Sequence, residues 1–246
     1  MPADIEISLE KICEVRMKDS IKDYSQSSRK HFSFRHPFVA TWVAVLFASL
    51  ISLAIATPAL AHHPFGGQTP NNFFEGFLSG MGHPVVGLDH LAFVVAIGLI
   101  AAGIKRGILI PISFAIAAML GTGIHLASMD LPLPEIAIAF SVLAFGVMLA
   151  LKQKLDAPTL AVIAAVAGIF HGYAYGETIV GAEMAPLIAY LAGFTAIQMA
   201  IALGAMYLAK FATGKFEGRS DESLVQSFGW AIGGIGIAFL TDAILG

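Results

Sequence analysis

Long apolar stretches separated by short polar breaks dominate most of this chain. Each is near the roughly 20 residues that a membrane-spanning helix needs. Lys105-Arg106-Gly107 and Lys152-Gln153-Lys154 are two of the polar breaks. The pattern predicts an all-α membrane bundle of six transmembrane helices, at about 84–104, 107–127, 134–151, 158–175, 185–209 and 226–244.

The N-terminal part of the chain has a different composition. Residues 1–36 are polar and charged, and they predict a disordered arm. The segment 37–61 contains an apolar run and ends in Pro58-Ala59-Leu60-Ala61, a small-residue site typical of a secretory signal. This segment is either a cleaved signal peptide or an uncleaved first helix, and 62–246 form the six-helix transmembrane domain.

Composition and charge narrow the class of protein further. Hydrophobic residues make up 57% of the chain and charged residues only 13%, well below the charged fraction of a soluble domain. A net charge of -3 without a basic patch argues against a nucleic-acid partner. The lone Cys13 excludes a disulfide framework or a thiolate metal site within one chain.

Positive residues in the loops predict the orientation of the bundle, because they remain on the cytoplasmic side. They occupy only the first, third and fifth loops: Lys105, Arg106, Lys152, Lys154, Lys210, Lys215 and Arg219. We therefore expect a multi-pass protein of the bacterial inner membrane whose mature N- and C-termini are periplasmic.

The most informative chemistry is the string His83-Pro84-Val85-Val86-Gly87-Leu88-Asp89-His90 at the outer end of the first predicted span. Ionisable groups in a membrane segment are costly and usually functional. In an unbroken helix starting at Pro84, His83 and His90 share one face with Gly87 between them. Imidazole and carboxylate are ligands for borderline divalent cations, so we predict a metal site here, with Asp89 as a ligand or as a residue that orients a histidine.

Other polar residues are predicted at the same end of the bundle, where inward packing would form an outward-facing vestibule. His171, Tyr175 and Glu177 form a second cluster, or else an interfacial aromatic belt. His125 is either a ligand or part of a glycine-rich packing face. Glu135 and Asp242 are each either a ligand or a solvated helix end. Gln198 lies near mid-depth of the fifth span and serves either in helix contacts or in an ion path.

The string His83-Pro84-x-x-Gly87-x-Asp89-His90 closely resembles the signature of the HupE/UreJ family of nickel and cobalt permeases. The string His171-Gly172-x-Ala174-x-Gly176 resembles the second motif of that family, and the resemblance covers about residues 40–246. It implies roles in metal passage for His83, Asp89, His90 and His171. One departure is Tyr175, where a second histidine is usual.

The resemblance implies a secondary transporter that takes up Ni²⁺ or Co²⁺ as its substrate, holds no permanent cofactor, and is linked indirectly to hydrogenase or urease maturation. The predicted metal residues are His83, Asp89, His90, His171, Glu177, His125 and Glu135. Two other functions stay open on the residues alone. One is a membrane-embedded zinc hydrolase, with Asp89 or Glu177 activating water; the other is an accessory protein that binds metal without moving it.

Overall fold

The computed structural model of the chain describes residues 69–153, 155–215 and 222–245. These residues form seven α-helices and contain no β-strand. The predicted arm and the predicted signal segment lie outside the described residues. The helices are α1 (Phe73–Val86), α2 (Leu88–Ala102), α3 (Leu109–Leu126), α4 (Pro134–Ala150), α5 (Ala157–Glu177), α6 (Met184–Lys215) and α7 (Glu222–Leu245).

The first predicted span is broken rather than continuous. The helices α1 and α2 meet at Gly87 with a bend of 79°, and Gly87 itself has an extended backbone (φ -71°, ψ 102°). Pro84 lies inside α1 and not at the first position of a helix. The prediction of one unbroken helix from Pro84 onward is therefore wrong, because a 3.6-residue pattern gives no sign of where the backbone leaves helical geometry.

The helix α1 begins eleven residues before the predicted start, and a capping arrangement explains its position. The Asn72 side chain accepts a hydrogen bond from the Glu75 amide, and the Glu75 carboxylate accepts one from the Asn71 amide. The first bond satisfies an amide that the first helical turn leaves unpaired, and the second bond ties the residue before the N-cap to the same turn. The Asn-x-x-Glu spacing was the sequence signal for this helix.

Four described helices are long and apolar enough to cross a membrane: α3, α5, the Met184–Phe211 part of α6, and the Leu224–Leu245 part of α7. The bent pair α1 and α2 makes a fifth candidate if it counts as one span. The helix α4 is apolar but has only 17 residues. The described residues are thus all-helical and typical of a multi-pass membrane protein, and they contain four or five candidate spans by length and composition where the sequence predicts six.

The bundle is built from three closely packed helix pairs around α2. The pairs are α1 with α6, α3 with α5, and α4 with α7, and α2 contacts all six other described helices. Phe93, Val94 and Ile97 of α2 are fully buried. Glycines let the backbones of each pair approach closely, as small residues do in membrane bundles. They are Gly76, Gly80 and Gly193 between α1 and α6, Gly121, Gly168 and Gly172 between α3 and α5, and Gly146, Gly229 and Gly236 between α4 and α7.

The element order separates the two ends of the bundle. His90 lies in the first turn of α2, whereas Lys105 follows the last turn of that helix. The N-terminus of α5 lies at the lysine end, where Asp156 caps the helix by accepting a hydrogen bond from the Thr159 amide. The hydrogen bonds from the Thr159 side chain and amide lower the pKa of the Asp156 carboxyl group. His171 belongs to the opposite half of α5, the half nearer to His90.

Candidate metal site

Three histidines from three helices meet inside the bundle. His83 lies in the last turn of α1, His90 in the first turn of α2, and His171 in the C-terminal half of α5. The ring centroids of His83 and His90 are 5.6 Å apart, and those of His90 and His171 are 4.9 Å apart. Each side chain is at most 1% exposed.

The break at Gly87 is what places His83 and His90 together. A Cβ atom at residue 87 would lie 2.6 Å from Cδ2 of His90, so only glycine leaves room for the imidazole there. The helix α1 ends and the helix α2 begins at this point. The carbonyl end of α1 favours a positive charge beside His83, whereas the amide end of α2 favours a negative charge such as that of Asp89 in its first turn.

His90 and His171 are joined by a hydrogen bond between their Nδ1 atoms, 2.7 Å apart. The second nitrogen of His171, Nε2, lies 3.0 Å from Ser141 Oγ on α4, and that hydroxyl donates to the Ile138 carbonyl at 2.7 Å. We assign the protons from these distances. Because the serine proton goes to the carbonyl, His171 donates from Nε2 and accepts at Nδ1, and His90 donates from Nδ1 and keeps its lone pair on Nε2.

His83 is held by a similar chain of hydrogen bonds. Its Nδ1 atom is 2.8 Å from Thr178 Oγ1 and 3.1 Å from the Tyr190 hydroxyl oxygen. The Tyr190 hydroxyl donates its proton to the Tyr175 carbonyl at 2.8 Å, so it accepts from His83. This assignment puts the proton of His83 on Nδ1 and the lone pair on Nε2, the same tautomer as His90.

Tyr175 lies between these two histidines. Its ring centroid is 4.9 Å from that of His83 and 4.7 Å from that of His90, and the side chain is fully buried. The Tyr175 hydroxyl has no hydrogen-bond partner among the described residues. Since a buried hydroxyl without a partner is costly, this hydroxyl is an available donor or acceptor within the histidine cluster.

The inner side of the histidine cluster is apolar. The Phe93 ring packs 4.5 Å from His171 and also contacts Phe114 and Phe145. All three phenylalanines are at most 1% exposed. In the described part of the chain, the three histidines meet as predicted, but their side chains are shielded from solvent rather than exposed in the predicted vestibule.

The remaining predicted residues lie outside this cluster or at its edge. Asp89 is 7% exposed, and its Oδ1 accepts a hydrogen bond from the His90 amide. His125 is half-buried and packs on the Tyr173 ring at 4.5 Å. Glu135 and Glu177 are exposed, in the first turn of α4 and at the last residue of α5.

Among the described residues, no three His, Cys, Asp or Glu side chains are arranged to hold a metal ion. His171 is not placed to act as a third ligand, because both of its ring nitrogens are hydrogen-bonded, one to His90 and one to Ser141. With the assigned tautomers, Nε2 is the unprotonated ring nitrogen of His83 and of His90.

Sequence reasoning missed Ser141, Thr178 and Tyr190, the residues that fix the histidine tautomers. Ser141 is a single hydroxyl in an apolar helix, and Tyr190 resembles an ordinary packing residue of a span. Only Thr178 had a usable signal, since it directly follows Glu177 at the end of the second motif.

Together, the helical bundle, the broken helix and the buried histidines define a polytopic membrane protein with a candidate site for a metal cation. A family model described as "HupE / UreJ protein" matches residues 50–239. The chain belongs to the HupE/UreJ family. It is 31% identical over 164 residues to "Protein HupE" of Rhizobium leguminosarum bv. viciae, an alignment that covers 66% of this chain and 82% of the relative. No solved structure matches the chain.

Proposed function

We propose that this protein is a secondary transporter that takes up a divalent transition-metal ion, Ni²⁺ or Co²⁺, as its substrate. The family is associated with nickel and cobalt uptake for hydrogenase and urease. The observation that carries the proposal is the pairing of the buried side chains of His83 and His90 across a broken helix.

The geometry of the pair suits one shared ion. Imidazole nitrogens bonded to one ion at about 2.0–2.1 Å put the two ring centroids about 5 Å apart. The observed centroid separation of 5.6 Å is close to that value. His83 and His90 each bind through Nε2, while Nδ1 of each ring keeps its hydrogen bond to Tyr190 or His171 and holds the ring in place.

Capture by few and mixed ligands suits transport. Two imidazoles and a phenol bind a cation less tightly than a closed four-ligand site, and permeation requires that the ion also leave. Asp89 sits beside His90 as the nearest carboxylate of the motif, and it draws the cation toward the cluster by its charge. Because the histidines are buried, entry requires an outward opening, for which the bend at Gly87 is the natural hinge.

The driving force for uptake does not come from the histidine site itself. The sequence contains no GxxxxGK[ST] loop for nucleotide binding, so uptake follows an ion gradient or the trapping of metal in the cytoplasm. In our proposal the chain spans the bacterial inner membrane with its histidine end toward the periplasm and its lysine loops in the cytoplasm. The metal then reaches the proteins that mature a hydrogenase or a urease.

The zinc hydrolase is less well supported by the geometry. Three metal-bound histidines would leave a position for water, but both nitrogens of His171 are occupied by His90 and Ser141. Glu177, one candidate base, is exposed at the end of α5. A non-transporting accessory protein fits the buried pair, and a transport measurement separates it from a transporter.

Reconstitution into liposomes that contain a metal-sensitive dye tests the proposal. We expect added Ni²⁺ or Co²⁺ to change the dye signal in proteoliposomes at least tenfold faster than in empty liposomes. Binding of metal to the purified protein without entry into the liposomes would reject the transporter and support the accessory protein.

A further inference from the structure

Gln198 is a strongly polar side chain in the middle of α6 that the histidine cluster does not include. It is only 1% exposed, and neither its amide oxygen nor its amide nitrogen has a hydrogen-bond partner among the described residues. Thr195, one turn earlier on the same face, also has a buried hydroxyl without a partner in this part of the chain. Buried polar atoms of this kind usually meet water or an ion.

The packing of α6 fixes the depth of Gln198. Tyr190 bonds to His83, and the Phe194 ring lies 5.3 Å from that of Tyr175, so both residues are level with the histidine cluster. Ala202 packs against Gly98, two turns inward of His90 on α2. Gln198 is four residues from both Phe194 and Ala202, which places it about one helical turn, roughly 6 Å, inward of the cluster.

Buried residues of α6 and then a cavity lie between Gln198 and the lysine end of the bundle. Beyond Gln198, the buried residues Ala202 and Met206 follow on the same helix. A cavity of about 640 Å³ then opens between the ends of α2, α4, α6 and α7, lined by Leu99, Lys105 and Ala209 among others. Gln198 is therefore a buried polar group of α6 that lies in depth between the histidines and this cavity.

We propose that the carboxamide of Gln198 is a second binding position on the transport route, which receives the metal ion after it leaves His83 and His90. The amide oxygen is a neutral ligand that contacts the ion directly or through a retained water molecule. It binds transition metals more weakly than imidazole does, so it lowers the barrier to inward movement without holding the ion. This inference rests on the proposed transport function.

The alternative role, a structural contact between helices, makes a different prediction. A structural amide requires a bonded partner on a neighbouring helix, and its loss destabilises the protein. An amide without such a partner contributes no bond to the fold. Replacing it with an apolar side chain of similar size then leaves stability unchanged or raises it.

The test uses the full chain with Gln198→Leu, and with Met199→Leu as the matched control at the same depth. For Gln198→Leu we expect Ni²⁺ binding to the purified protein within twofold of wild type, a melting temperature at or above that of wild type, and an initial rate of Ni²⁺ uptake into liposomes at least tenfold lower. Met199→Leu should match wild type in all three measurements. Gln198→Asn, which keeps the amide on a shorter side chain, should show an intermediate rate.

Uptake by Gln198→Leu at the wild-type rate would overturn the inference while leaving the transporter intact. A lower melting temperature in both Gln198 variants, with uptake falling in proportion to the folded fraction, would also overturn it and assign the amide a structural role. If the wild-type protein itself moves no metal, the proposed function fails instead.

Discussion

Replacing His90 with alanine is expected to abolish metal uptake while membrane insertion continues. The imidazole of His90 supplies one of two Nε2 lone pairs in the proposed site, and it also donates the hydrogen bond that holds His171. Its loss leaves His83 as a single nitrogen ligand, too weak to replace the water around the ion. Insertion depends on the apolar content of the spans, which the substitution does not reduce.

The measurement is the initial rate of Ni²⁺ entry into liposomes, with the amount of inserted protein determined on the same samples. We expect a decrease of at least about 100-fold, equivalent to the loss of roughly 3 kcal/mol of interaction with the ion. His125→Ala is the matched control, because it removes an imidazole from the same end of the bundle but outside the buried cluster. Equal rates for His90→Ala and wild type would contradict the assigned role of His90.

The second large effect concerns the contact between α3 and α5. A Cβ atom at Gly121 would overlap the backbone carbonyl of Ile169, and a Cβ at Gly172 would overlap that of Ala118. Backbone atoms cannot rotate away, so Gly121→Ala must push the two helices apart. We expect it to destabilise the protein by about 3 kcal/mol, at the upper end of the usual range for overpacking. His171 lies on the displaced helix, so uptake should fall as well.

Gly123→Ala provides a control two residues along the same helix. A Cβ atom there meets nothing within 4 Å, and alanine stabilises a helix by roughly 0.5–1 kcal/mol relative to glycine. Thermal unfolding in detergent should therefore give a clearly lower melting temperature for Gly121→Ala and an unchanged or higher one for Gly123→Ala. Similar melting temperatures for the two variants would show that the α3–α5 contact is looser than described.

The all-helical membrane class and the meeting of the histidines could be predicted from the sequence. Span length follows from apolar runs alone, since the bilayer sets it. The charged residues in alternate loops place His83, His90 and His171 toward one end, and the cost of polar groups in lipid turns them inward. None of these steps needs the relative rotation of the helices.

The break at Gly87 could not be predicted in the same way. Helical periodicity assumes a continuous backbone, and glycine is common in membrane helices, so its presence does not mark a break. The cap formed by Asn72 and Glu75 was a local signal for α1. Hydropathy gave no such signal, because α1 carries Glu75 and Ser79 and lacks the apolar run of a span. Local capping chemistry was thus a better guide here than hydropathy.

The hydrogen bonds that set the histidine tautomers could not be predicted from the sequence either. Ser141 meets His171 only because α4 packs against α2 and α5 at a particular rotation. Tyr190 meets His83 because Gly80 lets α1 approach the backbone of α6. Such contacts depend on close packing between helices that are far apart in the chain, and single residues carry no sign of it.

X-ray absorption spectroscopy of the purified protein loaded with one equivalent of Ni²⁺ tests most directly whether the two histidines share the ion. The wild-type protein should show two imidazole ligands at the metal, at about the 2.0–2.1 Å expected for metal–nitrogen bonds. The His90→Ala protein should show at most one. A nickel ion with only oxygen ligands in the wild-type protein would contradict the account, because metal would then bind somewhere other than the paired Nε2 atoms of His83 and His90.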